Sequence, residues 1–275
     1  MSDTRLAIIG CGIMGEAIVG GLLRAGLFAP GEVLATTRRQ DAADAVQARH
    51  GVAVTLDNLR ACQAAQTVLL TLKPQRIAKV VHEPGMREAL AGKLVISIAA
   101  GVTLNQLAEW LPESSIIRAM PNTPCLIGEG MTVLARGKRV ADAEVAVAAR
   151  LFETVGRCIE VEDKLMDAVT SLGGSGPAFV YIMIEAMADG GVMMGLPRPV
   201  ALEIAAQVFQ GAARMVLQTS RHPAALKDQV TTPAGCTIAG VLTMEDGRIR
   251  SVLARTIQEA TRVAGELGKD AAADR

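Results

Sequence analysis

The chain has 275 residues with 28 basic and 28 acidic side chains, so its formal net charge is zero, and no electrostatic pull toward nucleic acid or an anionic membrane is expected. No uninterrupted apolar run reaches the roughly 18 residues of a membrane span. Five cysteines (Cys11, Cys62, Cys125, Cys158, Cys236) are odd in number and lack paired metal spacing, and no charged leader with an apolar core precedes Leu6. The expectation is a cytoplasmic protein with reduced thiols and no metal, whose partners are small molecules or copies of itself.

The first predicted element is a short apolar strand at 6–9, LAII, which runs into Gly10-Cys11-Gly12-Ile13-Met14-Gly15 and an amphipathic stretch from Glu16 to Ala25. Strand, glycine-spaced turn and helix in that order form a dinucleotide fingerprint. Gly10 permits the tight turn, Gly12 admits a pyrophosphate against the backbone, and Gly15 lets the helix pack closely on the strand. A second strand at 33–36 follows at crossover distance and ends in Thr36-Thr37-Arg38-Arg39. The carboxylate that would bond a ribose 2'-hydroxyl is missing there. Two guanidinium groups stand where a 2'-phosphate would lie, favouring NADPH over NADH, although a solvated surface pair would read the same way.

Further strands are predicted at 52–55, 67–72, 94–98, 116–119, 131–135 and 158–161, with helical or turn-rich segments between them. The turns Lys73-Pro74-Gln75, Ala99-Ala100-Gly101 and Met120-Pro121-Asn122-Thr123-Pro124 follow the strands at 67–72, 94–98 and 116–119, with Asn58 as an addition, and ligands of open α/β sheets bind at that edge. This pattern is a doubly wound α/β domain over residues 1–162. Beyond it the strand signals stop. Stretches 164–195, 198–219 and 248–268 read as helices, giving an all-helical domain over 163–275. The segment 179–194, FVYIMIEAMADGGVMM, carries only Glu185 and Asp189 as charges. A lone bundle would expose that oily surface, so a homodimer with interleaved helical domains is expected, with Met183, Met187, Met193 and Met194 as filler.

Late in the chain, LKDQVTTPAGCTIAGVLTME spans 226–245. Thr231, Thr232 and Pro233 close one apolar segment, and a helix begins near Thr237. Gly235, Cys236 and Thr237 would offer unpaired N–H groups and one hydroxyl to a small carboxylate.

With these motifs the chain resembles the pyrroline-5-carboxylate reductase family over nearly its whole length. The resemblance rests on GCGIMG at 10–15, LKPQ at 72–75, IAAGVT at 98–103, MPNTP at 120–124, GGSGPAF at 173–179, ADGGVMMGLPR at 188–198 and, most specifically, the tract at 226–245. It implies a Rossmann domain followed by an all-α dimerisation domain, with dimers assembling further into a decamer as a pentamer of dimers. It also implies reduction of 1-pyrroline-5-carboxylate to proline with NADPH or NADH. Carried onto this chain, it places cofactor contacts at Gly10 to Gly15, Thr37, Arg38, Arg39, Asn58, Thr71, Leu72, Lys73, Pro74, Ala99, Ala100 and Gln229. Substrate contacts fall at Asp163, Gly235, Cys236 and Thr237. Asp163 and Gln229 stand where some members have Glu and Asn. Thr237 is the catalytic residue of this reading, its hydroxyl bonding the ring nitrogen while nearby N–H groups hold the carboxylate.

Two other readings compete. A 3-hydroxyacid dehydrogenase would need a lysine on the helix after Gly176-Pro177, which reads AFVYIMIEAMADGG. A non-catalytic nucleotide sensor would need no substrate turn at all.

Overall fold

Continuous apolar strands buried on both faces are the signature of a parallel sheet covered by helices, and the computed structural model, which describes residues 4–273 and the side chains of 4–266, has that sheet. Its first half runs β1 (Leu6–Ile9), α1 (Ile13–Arg24), β2 (Val33–Thr36), α2 (Gln40–His50), β3 (Ala53–Thr55), α3 (Asn58–Ala64), β4 (Thr67–Leu70). It continues through α4 (Pro74–Val81), α5 (Met86–Leu90), β5 (Leu94–Ser97), α6 (Leu104–Trp110) and β6 (Ser115–Met120). Then come β7 (Gly130–Arg136), α7 (Asp142–Glu153) and β8 (Gly156–Glu160).

The sheet order is β3-β2-β1-β4-β5-β6-β7-β8. Strands β1 to β6 are mutually parallel, with β1 between β2 and β4, so the direction of winding reverses beside β1 and opens a crevice at the carboxyl ends of β1 and β4. Only a short 3-10 turn at Thr123–Ile127 joins β6 to β7. That link is too short for a parallel crossover, and β7 pairs antiparallel to β6, with Met120 opposite Val133. Alternation along β1 sends Leu6 and Ile8 to one core, with Ile18, Leu22, Leu151 and Phe152, and Ala7 and Ile9 to the other, with Ile77, Leu90, Leu107 and Met166. Each large side chain buried this way contributes roughly 1.5–3 kcal/mol.

After β8 the chain forms α8 (Met166–Val169), a π-turn at Thr170–Ser175, α9 (Gly176–Met193), α10 (Arg198–Thr219), α11 (Pro223–Gln229), α12 (Cys236–Asp246) and α13 (Ile249–Ala273). Contacts group the described residues through Ser175 with those from Glu259 onward, and leave Gly176–Gln258 as a second unit. Strand periodicity ends near 162, yet the chain stays on the sheet through the π-turn, anchored by fully buried Met166.

The expectation that no segment is long and apolar enough for a membrane span is corrected by α10. Its 22 residues include an 18-residue window of mean hydropathy 1.3, enough to cross by length and composition alone. The sequence reading required an unbroken run, and Glu203, Gln207 and Arg214 interrupt this one without bringing the average down. A helix that meets a second copy passes the same test.

Candidate functional site

Two sets of side chains reach into the turn after β1 and fix it. Gly10 adopts φ +85°, a conformation other residues resist. Its N–H donates to Thr36 Oγ1 at 2.9 Å, the Cys11 N–H donates to the Thr36 carbonyl at 2.7 Å, and Thr71 Oγ1 donates to the Gly10 carbonyl at 2.9 Å. Threonines ending β2 and following β4 thus hold the turn from both sides. A Cβ on Gly10 would also strike Leu72 Cδ2. A Cβ on Gly15 would lie 3.1 Å from Thr71 Oγ1 and 3.5 Å from Ile8 Cγ2, so helix and strand touch where that glycine was expected to allow it.

The outer side of the same turn is open. A Cβ on exposed Gly12 would meet nothing nearer than the Gly10 carbonyl at 4.0 Å, Ile13 is 75% exposed, and no side chain caps α1. The first N–H groups of α1 therefore face a space that a phosphate fits. Met14 packs on the core beside this turn. Cys11 lies underneath with 5% exposure, and burial, reinforced by Glu16, pushes its thiol up to about 12.

Thr36 Oγ1 also donates to Asn58 Oδ1 at 2.8 Å, which turns the Asn58 amide nitrogen away as a donor without a protein partner among the described residues. Thr36, 1% exposed, was passed over in the sequence reading because its role depends on residues 26 and 22 positions away. Thr37 is nearly buried and bonds the Arg39 carbonyl at 3.1 Å. Arg38 and Arg39 are both exposed. Arg39 pairs with Asp41 at 3.0 Å, whereas Arg38 has no ion-pair partner among the described residues and is the freer of the two for a phosphate. Leu72 is half-buried beside the turn, Lys73 and Pro74 cap and open α4, and Ala99 and Ala100 follow β5 at the same edge.

In the helical unit, Pro233 and Ala234 are the inner residues of a turn closed by the Gly235 N–H donating to the Thr232 carbonyl at 3.1 Å. Ala234 has φ +56°, costly for a residue with a Cβ, and a Cβ on Gly235 would come within 2.5 Å of Thr232 Oγ1. Helix α12 starts at Cys236 with Gly235 as its N-cap and no side-chain cap, one residue ahead of the expected start. Thr231 spends its hydroxyl on the Lys227 carbonyl at 2.8 Å and Thr243 on that of Ala239 at 3.1 Å. Thr237 lies in the opening turn, where no helical carbonyl precedes it by four residues. Its hydroxyl has no partner among the described residues. Gln229 ends α11, exposed.

Asp163 lies in the sheet-bearing unit, where its Oδ1 accepts from Arg118 Nη1 at 3.2 Å. Arg118 is 3% exposed, and its Nη2 lies 3.8 Å from Asp167. The sequence reading missed Arg118. A lone charge inside the apolar strand SIIRAM was the signal available.

Residues 163–267 match the family described as pyrroline-5-carboxylate reductase dimerisation, and residues 5–101 the family described as NADP oxidoreductase, coenzyme F420-dependent. A pyrroline-5-carboxylate reductase of Synechocystis sp. is 43% identical over 269 residues, covering 96% of this chain and 98% of the relative. Among solved structures, a pyrroline-5-carboxylate reductase of Coxiella burnetii superposes with TM-score 0.91 at 33% identity, covering 96% of this chain and 98% of its own. A Plasmodium falciparum pyrroline carboxylate reductase with NADP bound gives TM-score 0.85 at 26% identity, covering 98% and 99%.

Proposed function

Because the chain belongs to the pyrroline-5-carboxylate reductase family, we propose that the glycine turn after β1 takes the dinucleotide and the amino-terminus of α12 takes the imino acid. The chain is an NAD(P)H-dependent oxidoreductase that reduces 1-pyrroline-5-carboxylate to L-proline, the last step of proline biosynthesis. Bound NADPH supplies the hydride.

The chain's own residues bind and orient. The N–H groups of Gly12 to Gly15 meet the pyrophosphate, Arg38 with Thr37 and Arg39 meets the 2'-phosphate, and Asn58 and the turns 71–74 and 99–100 line the rest of the cofactor. Gln229 is assigned an outlying cofactor contact. The open space at Gly12 and the free Asn58 amide nitrogen support this fit. In the helical unit the N–H groups from Gly235 to Thr237 hold the substrate carboxylate, aided by the positive end of the α12 dipole. Thr237 Oγ hydrogen-bonds the ring nitrogen. Asp163 is a further substrate contact, its Oδ2 left available while Arg118 holds Oδ1.

A cyclic imine asks little of a catalyst. Once protonated it is already an electrophile, and its reduction removes a charge where a ketone's would create an oxyanion. Positioning can then supply most of the acceleration, and no buried acid or base is required. The observation that carries this reading is the unpartnered Thr237 hydroxyl at an uncapped helix start.

The family's dimerisation region makes the chain an oligomer. We assign a homodimer with interleaved helical units, itself able to build a pentamer of dimers. Exposed Tyr181, Ile182, Met193 and Met194 support that assignment. Free cysteines fit a cytoplasmic location.

The test is initial-rate oxidation of NADPH, and separately NADH, with 1-pyrroline-5-carboxylate, pyruvate and 3-oxoacids, the oxidised partners of 3-hydroxyacids. Turnover with the imine alone, faster with NADPH, is expected. Turnover with the 3-oxoacids or none with the imine would refute the assignment.

A further inference from the structure

Asn122 stands just beyond β6, at the carboxyl edge of the sheet where ligands of such folds bind. Its side chain makes two hydrogen bonds to backbone groups far apart in sequence. Nδ2 donates to the Gly173 carbonyl at 3.0 Å, and Oδ1 accepts from the Met131 N–H at 2.8 Å. A carbonyl and an N–H as partners fix which end of the amide is which, since flipping it would lose both bonds.

Gly173 lies in the π-turn 170–175, where i→i+5 pairing loosens the helical ladder and backbone groups look for partners elsewhere. The turn has other anchors. Thr170 Oγ1 donates to the Met166 carbonyl at 2.8 Å, and Arg118 pairs with Asp163 just upstream. Asn122 is a further anchor and reaches the turn from the ligand edge.

The glycines of the turn differ in what they serve. A Cβ on Gly174 would press on Met120 Cε at 2.5 Å, so that glycine lets the turn lie against the last residue of β6. A Cβ on Gly173 would meet nothing within 4 Å, and Gly173 is not left-handed. Neither the chain's packing nor its backbone conformation asks for glycine there. Bare backbone is presented to open space beside the cofactor edge.

We propose that Asn122 is a positioning residue for the reduction: its amide holds the π-turn at the end of β6, so that the side-chain-free backbone at Gly173 forms a wall of the dinucleotide's place at the ligand edge of the sheet. The proposal rests on the reductase reading above and goes beyond it, since Asn122 touches backbone and not the reacting atoms.

The test uses the full-length protein and Asn122→Asp, which keeps the acceptor for Met131 N–H and replaces the donor with an oxygen facing the Gly173 carbonyl. Amide exchange in the peptide 170–176 should rise roughly tenfold without ligand, while the peptide 10–24 exchanges as before. NADPH affinity, measured without substrate, should stay within about twofold of the parent while kcat falls at least about tenfold. The isotope effect with 4-deuterated NADPH should rise. Unchanged exchange, or kcat within about twofold of the parent, would overturn the proposal. A lower thermal midpoint with kcat and cofactor affinity lost together and no change in the isotope effect would also overturn it, leaving only a structural role.

Should Asn122→Asp fail to fold, Gly173→Ala serves. It retains both Asn122 bonds and adds a methyl to open space, so parental stability with reduced kcat is expected, and parental kcat would refute the wall. Parent turnover with the imine tests the reductase reading separately. Amide exchange tests the tether without any turnover.

Discussion

In the sheet-bearing unit all four residues of β1 are fully buried, as are Ile18, Leu22, Leu69 and Phe152 on the surrounding elements. Between Gly176 and Gln258 the buried residues are three alanines, Ala188, Ala201 and Ala205, while Ile182, Met193, Met194, Val208 and Leu242 are more than half exposed. Three methyl groups contribute far too little to offset the ordering of a helical segment of that length. One unit carries its own core, and the other, which matches the family's dimerisation region, buries little by itself. The thiols divide the same way: Cys11, Cys62 and Cys125 are buried and Cys158 half-buried in the first, and Cys236 is exposed in the second.

The largest effect belongs to the self-sufficient unit and separates its binding from its stability. Gly12→Val should leave the thermal midpoint nearly unchanged, because the added carbons enter open space. It should weaken NADPH binding by about 3 kcal/mol, a factor of roughly 150. A fall in stability with intact binding would contradict the open cradle. Arg38→Ala should raise KM for NADPH by about 10- to 100-fold, the loss of one charge-assisted phosphate bond, with little change for NADH. Arg39→Ala, whose guanidinium Asp41 already holds, should do less. Equal losses for both cofactors would remove Arg38 from the 2'-phosphate site.

In the dependent unit, Thr237→Ala should cost about 0.5–1.5 kcal/mol in kcat/KM, or a few-fold to about tenfold, with cofactor affinity unaltered. Parental kinetics would take Thr237 out of the mechanism. A separate test addresses the thiol contrast. Burial pushes Cys11, Cys62 and Cys158 from the ordinary 9.0 up to about 12. Across that window the folded chain keeps protons that the unfolded chain has released. Stability is therefore fully present below pH 9.0 and falls as pH climbs toward 12. Thermal midpoints should decline progressively as pH passes 9.0, less steeply in Cys11→Ala, and a flat profile would show the thiols to be solvated.

The sheet was legible because central parallel strands are short apolar runs bounded by turn residues, and β1, β2 and the start of α10 lie where the pattern put them. The glycine turn was legible because each glycine answers a local demand. Arg118, Thr36 and Asn122 were not, since each acts through a partner more than twenty residues away and no local periodicity encodes such a pairing. The antiparallel direction of β7 was not read from the sequence, although the short link to it leaves no room for a crossover. The π-turn over TSLGGS gives no signal distinct from any glycine-rich helix start.

The left-handed alanine of the substrate turn has a further consequence. Glycine at Ala234 would relieve φ +56° but would also widen the ensemble of unfolded and unliganded loop shapes. With alanine, if these amides hold the substrate carboxylate as proposed, the conformational cost of arranging them is met when the polypeptide folds and not at each encounter with substrate. Under the proposed assignment, a turn whose shape is set on folding would favour rapid capture over adaptability, and would suit a small, stiff imino acid better than a larger flexible one.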